Sequence, residues 1–236
     1  MAKSTNLLLA GATGMVGGLA LSALLDGAGR EHCQIYAPTR RALTPTHPRL
    51  HPIEVDPGTA TGQAQIERAL VGQGVRLDGF ICAIGSTLKA AGSQAAFAAI
   101  DRDLVLALAA IARRHGARQA IVVSSVGAAA ASPSFYLRIK GEMEAGIEKL
   151  GFERVDFLQP GLLLGERTGA ARPGERIAQI LNPLLNPLLL GSLRRYRAIR
   201  AETVAAALVA LAGRKGSGVA RLTTAAIEDC ARADRR

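Results

Sequence analysis

Tryptophan is absent from this 236-residue chain, and aromatic residues of every kind make up only 3% of it. Readers of single-stranded nucleic acid stack bases on aromatic side chains, so this scarcity argues against that class. No recognised nucleic-acid module is present, and the basic residues, mostly arginine, are scattered rather than gathered in a stripe. Long apolar runs are also missing. The best, "LVLALAAIA" at 104–112, is far shorter than the roughly 20 residues that cross a bilayer. The apolar start of the chain is broken by Gly11, Gly14, Gly17 and Gly18, which reads as strand, turn and helix rather than as a signal peptide. Cysteine is too rare and too dispersed for a disulfide framework or a zinc site. Cys33, Cys82 and Cys230 suggest reduced thiols in a cytoplasm, and His32, His47, His51 and His115 show no metal-ligand spacing. No Ser/Gly linker or compositional break divides the chain, so a single domain is expected.

What is present is a regular alternation. Apolar runs at 6–10, 33–39, 50–56, 79–85, 119–125 and 155–161 read as strands. Helical patterns fall between them, from Met15 to near Gly27, at 63–73, from Ser93 to His115 and through Tyr136 to Leu150. Short apolar strands separated by helices imply a doubly wound parallel α/β sheet of Rossmann type. After Gly161 the pattern loosens. Pro183 and Pro187 interrupt "LNPLLNPLLLGSLRRYR", residues 201–213 read as a helix, and the tail "ARADRR" reads as frayed. Segment 161–200 is expected to act as a small C-terminal cap over the substrate, or as a homodimer or packing surface.

"LLLAGATGMVGG" places Gly11, Gly14 and Gly17 directly after a strand, opening a helix. Glycines there permit positive φ and let a pyrophosphate approach the backbone, while the helix N-terminus offers free N–H donors. A dinucleotide site usually also has an acid at the end of the second strand, to accept ribose hydroxyls. That acid is missing: the sequence reads "PTRRAL", with Arg40 and Arg41 in its place. A guanidinium can grip a 2′-phosphate that a carboxylate would repel, so the pair favours NADP over NAD. The competing reading is two solvated loop arginines.

Tyr136 and Lys140 in "SFYLRIKGEMEA" lie four apart, on one helix face. An ammonium beside a phenol favours phenolate and brings the phenol toward the working range of a general acid. Ser124 and Ser125 end the preceding strand. Ligands of such sheets bind outside the carboxyl ends of strands, where a serine could hold a carbonyl oxygen while Tyr136 gives its proton. Asp101 and Asp103, on the long helix, read as a solvated or capping pair rather than an acid/base dyad.

These motifs resemble the short-chain dehydrogenase/reductases, and more closely their atypical, Tat-interacting oxidoreductase-like branch. The likeness runs in order through "GATGMVGG", "TRR", "CAIGST", "KAAGSQAAFAAIDRDLV", "VVSSVGA", "FYLRIKGEMEA", "QPGLLLGER" and "ARPGE". It implies NADPH lying along Thr13, Gly14, Met15, Val16, Gly17 and Gly18 after Gly11, with Arg40 and Arg41 on the adenosine phosphate. It further implies Ile84 and Gly85 at the end of the fourth strand, and Leu163 and Arg172 near the nicotinamide. Tyr136 and Lys140 would be the catalytic pair. Alignment of "SSVG" with the classical strand end favours Ser125, with Ser124 as the alternative. Similar members read Arg-Pro-Gly where this chain has Gln159-Pro160-Gly161. The expected protein is an NADPH-dependent reductase of a small carbonyl substrate, with no metal, nucleic acid or membrane span. A non-enzymatic NADPH sensor and a sugar-nucleotide epimerase or dehydratase are the alternatives.

Overall fold

The computed structural model describes residues 5–27, 32–44, 46–165 and 196–233. Seven parallel strands form the sheet: β1 (Thr5–Ala10), β2 (Cys33–Thr39), β3 (Leu50–Glu54), β4 (Gly79–Cys82), β5 (Gln119–Val123), β6 (Arg154–Gln159) and β9 (Gly218–Thr223). Their order is β3-β2-β1-β4-β5-β6-β9, with every pairing parallel. The doubly wound expectation is met. The strand order reverses direction between β1 and β4, and sheets of this kind bind ligands at such a point, outside the carboxyl ends of the strands.

Helices cover both faces, and this is why the central strands are apolar without alternation. Leu7 and Leu9 of β1 face a core built with α1 (Met15–Asp26), α7 (Ala201–Leu211) and α8 (Thr224–Ala233). Leu8 and Ala10 face the opposite core, with α2 (Ala60–Gly72), α5 (Val105–Arg114) and α6 (Phe135–Lys149). Two short helices, α3 (Leu88–Ala91) and α4 (Gln94–Ala98), precede α5.

Three expectations change. The long helix from Ser93 is not uniform: residues Ala99–Leu104 form a π-turn between α4 and α5. The tail is not frayed throughout, because α8 runs to Ala233 with Ile227 and Ala231 buried. The seventh strand, β9, was not expected at all. The cap segment is described only at its ends. There, β7 (Leu163–Leu164) pairs in parallel with β8 (Ile199–Arg200), and residues 166–195, including Arg172, lie outside the described residues. No helix among the described residues is long and apolar enough to cross a membrane.

Candidate cofactor and catalytic site

The turn after β1 is closed by its glycines. Gly11 has φ +88°, and a Cβ on it would sit 2.9 Å from the backbone of Ala83 and Ile84. A Cβ on Gly17 would meet the Gly11 carbonyl, with Gly11 C at 2.7 Å, so only glycine lets α1 start this close to β1. Gly14 is the N-cap of α1 and donates its N–H to Gly11 O at 2.9 Å. No side chain caps this helix, and its first turn holds no acid. Thr13 and Gly14 are exposed. An uncapped helix N-terminus at the switch point suits a pyrophosphate, whose charge would satisfy the free N–H groups of the first turn.

Arg40 and Arg41 follow β2 and are exposed. The Thr39 hydroxyl pins their loop. It donates to Arg41 O at 2.7 Å and accepts from Arg41 N–H at 3.2 Å. Neither guanidinium has an ion-pair partner among the described residues, so both remain available to an anion. Ile84 and Gly85 follow β4, beside the glycine turn. Leu163 reaches the same side from β7, packing with Met15 against the core under α1. Gly165 continues this path, with Met15 and Ala201 against it.

The second half of the site lies on α6 and the loop before it. Tyr136, half-buried, stands in the first turn of α6, its ring 5.6 Å from that of Phe97. One turn on, Lys140 is 3% exposed. Its Nζ lies 2.7 Å from Oδ1 of Asp101, itself fully buried. The other carboxylate oxygen of Asp101 accepts from Ser86 N–H at 2.9 Å. Gly85 borders this pair: a Cβ there would be 3.8 Å from both Asp101 Oδ1 and Lys140 Nζ. Beneath lies Cys82, whose thiol burial pushes up to about 11, so it stays neutral beside the two charges.

The solvated-pair expectation therefore holds only for Asp103, which is exposed and bound by Arg102 at 2.7 Å. It fails for Asp101. A regular helical repeat through 93–115 gives no hint of the π-turn, and the turn's extra residue changes which side chains face inward. Arg102 braces the same turn from outside, meeting Glu142 of α6 at 2.5 Å.

Ser124 and Ser125 lie just past β5 rather than within it. Ser124 is buried, and its hydroxyl has no hydrogen-bond partner among the described residues. Ser125 is half-buried, with one long 3.5 Å contact to Val126 O. The loop after them packs on α6 at Gly141, where a Cβ would lie 2.5 Å from Ala129 Cα and closer still to the following peptide. Gly141 was missed in the sequence, although a glycine immediately after Lys140 in a helix interior was a usable signal.

Gln159 is buried and donates to Glu144 Oε1 at 2.8 Å, while Arg221 of β9 donates to Glu144 Oε2 at 3.0 Å. The positive charge beside Glu144 thus arrives from the seventh strand. Among the described residues, no cluster of His, Cys, Asp and Glu could hold a metal ion.

Comparison with known proteins agrees with this fold. The profile of the "NAD dependent epimerase/dehydratase family" matches residues 7–144. "Protein FMP52, mitochondrial" of Candida albicans is 41% identical over 109 residues, 46% of this chain and 48% of that protein. "Protein HTATIP2" of Rattus norvegicus is 41% identical over 98 residues, covering 42% and 40%. These two matches span less than half of either relative. A longer match, to fmp52 of Aspergillus fumigatus, is 34% identical and covers 72% of this chain and 71% of the relative. A short-chain dehydrogenase/reductase from Serratia marcescens superposes with a TM-score of 0.67 at 17% identity, covering 93% of this chain and 96% of that one. WbmG of Bordetella bronchiseptica, solved in complex with NAD, gives 0.65 at 16% identity, covering 99% and 78%. At such identities the structures establish the fold alone. With the family profile matched over more than half its length, the chain belongs to the NAD dependent epimerase/dehydratase family, in its atypical short-chain dehydrogenase/reductase branch.

Proposed function

We propose that the protein is an NADPH-dependent oxidoreductase that reduces a small carbonyl compound. The cofactor would lie along Gly11, Thr13, Gly14, Met15, Val16, Gly17 and Gly18, with its 2′-phosphate on Arg40 and Arg41. Ile84, Gly85 and Leu163 would flank its other half, together with Arg172. When bound, it supplies the hydride; the chain's own residues bind, orient and move a proton. Tyr136 donates a proton from its hydroxyl to the substrate oxygen. Lys140 holds the ribose and favours the phenolate left behind. Ser125 donates a hydrogen bond to that same oxygen.

The observation that carries this reading is the stacking on α6. A buried lysine stands one turn from a partly exposed tyrosine, at the carboxyl end of the sheet where the uncapped helix α1 also opens. The unpaired arginines after β2 support NADPH over NADH.

The test is turnover of an aldehyde, ketone and quinone panel with NADPH, with UDP-glucose as a separate arm for epimerase chemistry. Tyr136→Phe should keep the NADPH Kd within a few-fold and lower kcat by about 10² or more. Full activity of Tyr136→Phe on a confirmed substrate would remove Tyr136 from the mechanism. NADPH binding without turnover of any substrate by the wild type would favour a sensor over an enzyme.

A further inference from the structure

Tyr136 stands where a helix is weakest. It is the second residue of α6, and the N-cap of that helix, Ser134, makes no side-chain cap hydrogen bond. The N–H groups of a first turn have no intrahelical partners, so a start without such a cap frays more easily. A proton donor must be held within about 0.5 Å of its productive position, which demands a firmer support. Part of it comes from α6 itself. Arg138 donates from Nη1 to Ser132 O at 3.2 Å, and its guanidinium lies 5.5 Å from the centre of the Phe135 ring. The rest comes from another element, through Phe97.

Phe97 is fully buried on α4. Its backbone is pinned, because α4 has the cap that α6 lacks. The Ser93 hydroxyl accepts from Ala96 N–H at 3.0 Å, and Phe97 N–H donates to Ser93 O at 3.0 Å. The Phe97 ring meets two rings of α6 in tilted contact, Phe135 at 6.0 Å and 58° and Tyr136 at 5.6 Å and 46°. Aromatic pairs attract at such distances and tilts. The chain has only five phenylalanines and three tyrosines, so three aromatic rings meeting at one helix start is a concentration of a scarce residue type.

We infer that Phe97 is a positioning residue for Tyr136, fixing the phenol ring and with it the line along which the hydroxyl points. The inference rests on the proposed role of Tyr136 as proton donor. Held against Phe97, the Tyr136 ring cannot swing about its first torsion without leaving the contact. The competing role is bulk alone, with Phe97 one more apolar side chain between α4 and α6, for which leucine would nearly serve.

Phe97→Leu keeps an apolar side chain and removes the ring. Phe97→Met, which fills more of the space, is a second variant with the same expectations. Phe80→Leu, at an equally buried phenylalanine of β4, is the control for lost core packing. On a carbonyl substrate confirmed by the panel, Phe97→Leu should lower kcat about tenfold or more, with the NADPH Kd and the carbonyl KM within about threefold of wild type. Phe80→Leu should lower Tm and leave kcat unchanged well below that Tm. A kcat of Phe97→Leu equal to wild type would overturn the inference in favour of bulk.

Tyrosine labelled with carbon-13 at Cζ gives a reading that requires no turnover. Three tyrosines give three NMR signals, and Tyr136→Phe identifies one of them. In the free protein and with NADPH, that signal should be single and sharp in wild type and in Phe80→Leu. In Phe97→Leu it should broaden or divide, with the signals of Tyr36 and Tyr196 unchanged. A Tyr136 signal as sharp in Phe97→Leu as in wild type would overturn the inference whatever the kinetics. A wild type that turns over no carbonyl would sink the proposed function, and the Tyr136 signal would still decide whether Phe97 orders the ring.

Discussion

Gly141→Ala sets two physical effects against each other. Gly141 lies in the interior of α6, where alanine is worth about 1 kcal/mol more than glycine in helix propensity. On that ground alone the variant would be stabilised. But the added methyl would lie 2.5 Å from Ala129 Cα and closer to the Ala129–Ala130 peptide. The obstacle is backbone, so no rotamer change relieves it, and the 128–131 loop must move. Overpacking costs typically 1–3 kcal/mol, and a backbone clash belongs at the upper end of that range. The net expectation is a loss of about 1–2 kcal/mol. For a chain of this size that lowers Tm by about 2–8 °C. Gly146→Ala in the same helix is the control: its methyl would meet the Leu106 side chain at 2.6 Å, which can turn aside. Thermal unfolding followed by circular dichroism, with urea titration to check that m is unchanged, reads both. The loop joins Ser125 to the helix of Tyr136, so Gly141→Ala should also lower turnover with little change in NADPH affinity. A Tm raised by Gly141→Ala would refute the packing argument.

Other outcomes are equally definite. Arg40→Ala/Arg41→Ala should cost roughly 1.5–3 kcal/mol of NADPH binding, more than tenfold in Kd, and leave NADH binding nearly unchanged in calorimetry. An unchanged cofactor preference would mean that both arginines are merely solvated. Asp156→Ala should lower stability by about 3–5 kcal/mol in urea unfolding, because fully buried Asp156 binds Arg154 at 2.7 Å and Gln119 at 3.1 Å. Native protein at pH 8 should show no fast labelling of Cys82 by a thiol reagent, since burial holds that thiol up to about 11. Prompt labelling of Cys82, read by peptide mass spectrometry, would contradict its burial.

Much of the architecture was legible because its causes are local. The apolar residues 6–10 needed cover on both faces, and glycines 11, 14 and 17 marked where strand and helix approach too closely for a side chain. Strand β9 escaped notice because it is an edge. "GVARLT" has two exposed residues at its start and an arginine whose partners, Glu144 and Glu148, lie more than 70 residues away in sequence. Asp101 escaped for a different reason. Its inward direction is set by a π-turn, and a 3.6-residue repeat has no symptom of the extra residue until the helix is built. The partners of Gln159 could not be read from the sequence either: its side chain donates to Glu144, and Arg221, 62 residues further on, donates to the other oxygen of the same carboxylate.

The crossing beside β6 has consequences for how such a protein can change. The Thr224 hydroxyl accepts from Gly161 N–H at 3.1 Å and donates to Arg197 O at 3.4 Å. One hydroxyl thus ties the chain leaving β6 to the chain arriving at β8, and the β7–β8 pair clips the two paths together just beyond. Whatever stretch joins Leu164 to Ile199 therefore begins and ends at fixed points. Doubling its length adds only about 0.6 kcal/mol of closure entropy. The sheet, the glycine turn and the α6 pair lie outside that stretch, so its length can change at small energetic cost without displacing them.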